Sequence, residues 1–298
     1  MTSSRLRLPD FLIIGAMKAG TTTLYNYLRE HPDVFMPLLK EPEFFVAEKS
    51  WRRGLGWYSS LFAAAGDAAL TGEASTSYTK FTEYRGVPAR IKSVIPNVRM
   101  IYVVRHPLRR IESMYEHMTI TGRENRPIDE AVQRDTRYVG PSLYGRNLAL
   151  YLEHFDASQI LTFFTDDLND DVQGTLARVA TFLGVQQEPL SGAARRDLES
   201  SGRRTDRRLK SSLRNVTWAQ RAYLAAPQRL REEANRVLTK GDVRSRPTLS
   251  QETVEQLLPT LIEDAALLHD LTGSSASRWD LAAPPHSASQ TSQQGIRR

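Results

Sequence analysis

The stretch "FLIIGAMKAGTTTLYNYLREH", residues 11–31, constrains the fold more than any other part of the chain. Its opening apolar run, 11–16, has the pattern of a buried strand. Residues 21–31 then read as a helix, because Leu24, Tyr27 and Leu28 recur at three and four residues and make one apolar stripe. Pro32 ends that helix by pushing His31 out of helical geometry. Strand, glycine turn and helix together make the geometry of a phosphate cradle. The first helical amides have no intrahelical acceptor and point into the turn. Gly15 and Gly20 allow an oxyanion to approach the backbone. Lys18 adds a mobile positive charge, and Thr21, Thr22 and Thr23 add hydroxyls at the helix start. A plain strand–helix turn with a surface lysine is the alternative.

The spacing is not that of the usual nucleoside triphosphate loop, in which lysine follows the second glycine and directly precedes Ser or Thr. Here Lys18 precedes Gly20, and two residues separate it from Thr21. Nor does the turn contain G-x-G-x-x-G, so a dinucleotide fold is not expected.

Further along, "VRMIYVVRHP" (98–107) reads as a second buried strand and 159–164 as a third. Helices are expected over 54–66, 88–96, 108–118, 145–155, 172–185 and 253–273. "MPLLKEPEFFVAEKS" reads as a loop or short edge segment, and "LTGEASTSY" (70–78) has turn composition after a short apolar stretch. Strands alternating with helices predict an α/β fold with a mostly parallel central sheet and a helical C-terminal part. The chain has 298 residues, 40% of them hydrophobic, enough for one sizeable core. We read residues 1–280 as one domain and the Pro-, Ser- and Gln-rich 281–298 as a disordered tail. With no cysteine, disulfides, thiolate metal sites and cysteine nucleophiles are excluded. No run of 18 apolar residues occurs, so no membrane span is expected. The N-terminus reads as a first strand and not a signal peptide. A net charge of +6 favours anionic ligands in a general way. The basic run "RRTDRRLK" (203–210) lacks the aromatic interleaving of a nucleic-acid patch, so no nucleic-acid partner is expected.

Arg105 falls at the C-terminal end of the second strand, the edge where open α/β sheets bind ligands. Ser113 lies eight residues on, in the following helix. A guanidinium and a hydroxyl so placed suit a second anionic group. A surface ion pair and a helix-face serine would look the same.

Four segments in order carry a family resemblance: "AMKAGTTTLYNYL", "LKEPEFF", "GEASTSY" and "YVVRHPLRRIESMY". Together they span residues 11 to about 119, and they resemble the sulfotransferases that use 3′-phosphoadenylyl sulfate (PAPS), in the bacterial and heparan-sulfate-type branch. Segments at 159–164 and 273–279 resemble the family more weakly. The resemblance implies a P-loop-like three-layer fold, PAPS as donor, and a hydroxyl or amine on a glycan or small-molecule acceptor. Lys18, Ala19, Gly20, Thr21, Thr22 and Thr23 would hold the 5′-phosphosulfate, with Lys18 also stabilising the leaving group. Arg105 and Ser113 would hold the 3′-phosphate, joined by Arg203 or Arg204. Glu73 would be the general base, there being no histidine between His31 and His106. A structural cap or ion pair is the other role for Glu73. Lys40 is a candidate second cation near the sulfuryl oxygens or the acceptor, or else a solvated loop residue.

Trp57, Tyr58 and Tyr144 are candidates for the acceptor cleft, or equally for the core. No metal is required, because protein cations meet the charge. A soluble, cytoplasmic enzyme is expected. Two other classes stay open: a magnesium-dependent small-molecule kinase, and a nucleotide- or carbohydrate-binding protein without transfer activity.

Overall fold

The computed structural model describes residues 6–187, 247–274, 279 and 281. Its centre is a sheet of β1 (Phe11–Gly15), β2 (Val34–Phe35), β3 (Leu70–Ala74), β4 (Arg99–Val104) and β5 (Ile160–Phe164). The order is β2-β3-β1-β4-β5, and every neighbouring pair is parallel. All of β1 is buried, and so is all of β4 beyond Arg99. Those strands are the two continuous apolar runs, as a parallel sheet covered on both faces requires.

The helices are α1 (Thr21–Glu30), α2 (Gly54–Ser60), α3 (Val87–Val94), α4 (Pro107–Ile120), α5 (Ile128–Arg134), α6 (Thr136–Val139), α7 (Tyr144–Leu152), α8 (Thr165–Asp170), α9 (Val172–Leu183) and α10 (Gln251–Thr272). Each of the seven expected helices is present. That over 54–66 is shorter than expected: α2 ends at Ser60, and a 3-10 turn covers Ala63–Ala65. On α9, Gly184 takes the left-handed cap that the sequence suggested. Asp264 of α10 is buried and accepts from the backbone amides of Gly145 (3.0 Å) and Arg146 (2.9 Å), so it caps the first turn of α7.

The described residues hold five strands where the sequence pattern showed three. Two residues of β2 are too few to make a period. β3, sequence LTGEA, carries Thr71 and Glu73 fully buried, so its polarity hid a strand behind turn composition. Both polar side chains are satisfied internally, Thr71 by donating to Asp10 (3.0 Å) and Glu73 as set out below. Gly72 of β3 is paired with Phe11, whose ring lies across it. A Cβ there would stand 2.1 Å from Phe11 Cζ. The tail expected at 281–298 lies outside the described residues, apart from Leu281.

Candidate active site

The turn after β1 is held by three strand ends. Gly20, at φ 95°, leads into α1 and has no side chain to cap the first-turn amides. Those amides are the groups an anion would fill, so the turn fits a phosphate. Lys18 also has left-handed backbone, at φ 71°. Arg105, just past β4, donates from Nη1 to the Lys18 carbonyl at 3.0 Å. Thr165, just past β5, donates to the carbonyls of Ala19 (2.6 Å) and Val104 (3.1 Å). The connection of β1 leaves toward β2 and that of β4 toward β5, so the crevice between them is the topological switch point. Ser113 sits half-buried on α4.

Lys40 reaches the same turn from the 40s loop. Its Nζ donates to Thr22 Oγ1 at 2.7 Å and lies 3.7 Å from Glu41. The next residues follow the chain just beyond β3. The Glu41 amide donates to the Ala74 carbonyl (3.0 Å), the Glu43 amide to Ser75 Oγ (3.0 Å), and the Phe45 amide to the Tyr78 hydroxyl (3.4 Å). Thr76 Oγ1 donates to Glu41 Oε2 (3.0 Å), and Ser77 Oγ to Glu43. Glu41 and Glu43 both have left-handed backbone, at φ 60° and 52°, a conformation held by surrounding contacts.

Beside this loop opens a cleft of about 580 Å³, within the usual size range of small-ligand sites. Met17, Lys40, Glu41, Glu43, Lys49, Ser77, Lys80 and Arg123 line it. Lys49 pairs with Glu43, and Lys80 lies 3.9 Å from Glu83. Burial holds the Lys80 amine below its ordinary value.

Glu73 is not on this cleft. It lies at the end of β3 and is 0% exposed. The expectation of a carboxylate presented from a turn is therefore corrected: Glu73 is on a buried strand, with both oxygens occupied. Tyr58 (3.1 Å) and Tyr78 (2.6 Å) donate to Oε1, and Ser75 (2.8 Å) donates to Oε2. Burial raises its pKa from 4.5 to about 7, against the lowering effect of the three hydroxyls. Tyr58 and Tyr78 are raised in turn, by burial first and by the Glu73 charge second.

The aromatic candidates fall on the core side. Tyr58 is fully buried and stacks on Phe44 at 4.2 Å between ring centroids. Tyr144 is buried against Trp279 and Tyr102. Trp57 is half-buried, with the Arg53 guanidinium 3.8 Å from its ring centre. Arg203 and Arg204 lie outside the described residues. Among the described residues, no group of three or more His, Asp or Glu is arranged to hold a metal ion, and no helix is long and apolar enough to cross a membrane.

A family model described as a sulfotransferase domain matches residues 8–255. The chain belongs to the PAPS-dependent sulfotransferase family. Human heparan sulfate glucosamine 3-O-sulfotransferase 3B1 is 34% identical over 195 residues, which are 62% of this chain and 48% of that protein. The chain spans about half the length of the curated relatives it matches. Among solved structures, a sulfotransferase from Alicyclobacillus acidocaldarius has a TM-score of 0.66 at 21% identity, covering 92% of this chain and 99% of that one. Mouse sulfotransferase SULT7A1, complexed with adenosine 3′,5′-bisphosphate (PAP), has a TM-score of 0.56 at 14% identity, covering 93% and 90%. At those identities the likeness is one of fold.

Within this sulfotransferase chain, sequence reasoning passed over Glu41, Lys49, Ser77, Lys80 and Arg123. Glu41 stood in plain view beside Lys40 in "LKEPEFF". Tyr78 and Lys80 stood five and seven residues after Glu73 in "GEASTSYTK". Thr165 carries no local signal, because only the sheet order brings it to the turn.

Proposed function

We propose that this chain transfers a sulfuryl group from PAPS to a hydroxyl of a carbohydrate or small-molecule acceptor, within the heparan-sulfate-type branch. One observation carries the reading: a phosphate-fitting turn, tied by Arg105 to the end of β4, stands beside a cleft lined by Lys40 and Glu41. The 3-O-sulfotransferase named above supports a carbohydrate hydroxyl over an amine.

Gly20 and the first turn of α1, with Ala19, Thr21, Thr22 and Thr23, hold the 5′-phosphosulfate. Arg105 and Ser113 hold the 3′-phosphate. Lys18 meets the charge that builds on the leaving phosphate as its bond to sulfur breaks. Lys40, fixed on Thr22, steadies the sulfuryl oxygens. A base takes the acceptor proton as the new oxygen–sulfur bond forms. Of the two carboxylates that line the cleft, Glu43 is paired with Lys49 and Glu41 stands beside Lys40, so we assign the proton to Glu41 and not to the sealed Glu73. An acid–base group of this kind contributes roughly a hundredfold to ten-thousandfold.

The test is calorimetric titration with PAP, without magnesium, with ATP as comparator. Binding of PAP that is weakened by Arg105→Ala and by Lys18→Ala supports the donor site. Transfer of labelled sulfate from PAPS to a panel of glycans and phenols then tests the acceptor, with Glu41→Gln expected to bind PAP and not turn over. Preferential, magnesium-dependent ATP binding would overturn the reading.

A further inference from the structure

We propose that Glu73 is a positioning residue that sets the strained acidic loop 41–45 through two hydroxyl relays, and so aims Glu41 into the cleft. This rests on the sulfotransferase reading above. The argument begins with proton direction. In its ionised form the Glu73 carboxylate only accepts hydrogen bonds, so Ser75 and Tyr78 then each spend their one hydroxyl proton on it. Their lone pairs are then turned outward. There they meet the Glu43 amide on Ser75 Oγ, at 3.0 Å, and the Phe45 amide on the Tyr78 hydroxyl, at 3.4 Å.

The loop needs this support. Glu41 and Glu43 both hold left-handed backbone, which a non-glycine residue keeps only when its surroundings over-determine it. The Ala74 carbonyl, next to Glu73 in the chain, takes the Glu41 amide. Three successive alternate amides of the loop are thus anchored on residues 74, 75 and 78. Two of those anchors are oriented by the Glu73 carboxylate. Tyr58 donates to the same oxygen from α2 and closes the site from the other side. A carboxylate with no access to the cleft, but with two of its three donors hydrogen-bonded to the loop that has access, acts through that loop.

Hydrogen exchange of single amides reads this relay without an acceptor. In Glu73→Gln the side-chain amide faces one hydroxyl with a donor, so at least one relay is reversed. The Glu43 and Phe45 amides should exchange at least about tenfold faster, with the first amides of α1 and the PAP affinity unchanged. Ser75→Ala should speed Glu43 alone, and Tyr78→Phe should speed Phe45 alone. These two variants decide the matter if Glu73→Gln does not fold.

A second readout is sulfate transfer from PAPS to a mixture of heparan sulfate oligosaccharides. Glu73→Gln should lower kcat roughly tenfold to a hundredfold, and adding Ser75→Ala and Tyr78→Phe to it should cost little more. Unchanged exchange at Glu43 and Phe45 overturns the proposal. So does faster exchange across the whole chain, which is loss of structure only. A loss beyond about a thousandfold in Glu73→Gln, with Ser75→Ala and Tyr78→Phe active, would make Glu73 the base itself. If the unmutated chain fails to bind PAP, the sulfotransferase reading falls, whereas the exchange result still reports on the relay.

Discussion

Replacing Glu73 by glutamine should remove a pH dependence of stability that the buried carboxyl imposes. Burial raises its folded-state pKa from 4.5 to about 7, so the folded chain holds this proton more tightly than the unfolded chain does. The sign follows: the stabilising effect of that proton is fully present below about pH 4.5 and is lost as pH rises through about 7. One pKa unit is about 1.4 kcal/mol, so the whole effect is on the order of 3 kcal/mol, of which about 2.5 kcal/mol falls between about pH 5 and about pH 8. Glu73 is fully buried, so little of this is lost to solvent screening. The assay is urea unfolding of both proteins at several pH values, comparing their difference in stability and not either curve alone. Groups common to both proteins cancel in that difference, and Glu124, held well below its ordinary value by its hydrogen bonds to Arg126, stays ionised throughout this window. Parallel curves for the two proteins would refute the reasoning, since the carboxyl would then have no raised pKa to lose.

Other outcomes are open to direct measurement. Gly72→Ala should destabilise the fold by about 1–3 kcal/mol in the same unfolding assay, because its Cβ would meet the Phe11 ring at 2.1 Å. Asp264→Ala should cost about 1–2 kcal/mol by uncapping the Gly145 and Arg146 amides, seen as a lower urea midpoint with an unchanged slope. Arg105→Ala should weaken PAP roughly tenfold to a hundredfold by calorimetry, as hydrogen bonds to a charged group are lost. Lys40→Met should lower kcat about tenfold or more and leave PAP affinity nearly unchanged, a split read from single-turnover rates alongside calorimetry.

The elements to which we assign the donor were legible in the sequence because they are written in contiguous residues. A strand, a turn and a helix sit within residues 11–31, and Arg105 and Ser113 share one strand–helix unit. The acceptor side was less legible. Its groups come from two segments that only the sheet brings side by side, Lys40 to Phe45 from the long loop and Ala74 to Lys80 from the end of β3. β3 was hidden because its buried polar residues break the apolar pattern while their hydrogen-bond partners lie far off in sequence, as Glu73 does with Tyr58 of α2. Burial also separated two glutamates that composition treats alike. Sequence could say that Glu73 and Glu41 each stood in a motif. Only the packing of Tyr58, Ser75 and Tyr78 decides which of them meets the cleft.

The sheet order explains why the two halves meet where they do. β1 stands at the centre, with β4 and β5 on one side and β3 and β2 on the other. The residues that fit the donor leave the ends of β1, β4 and β5: the 16–20 turn, Arg105 and Thr165. The acidic loop and its relays gather at the end of β3. On the proposed reading transfer occurs across the end of β1, and a side-chain bond near the turn joins Lys40 to Thr22 across this line. Under that proposal a cation at this junction would face both the sulfuryl group and the incoming hydroxyl. That placement makes Lys40 sensitive to the chemical step and not to donor binding, and it puts Glu41, its neighbour in the chain, on the acceptor's side of the line.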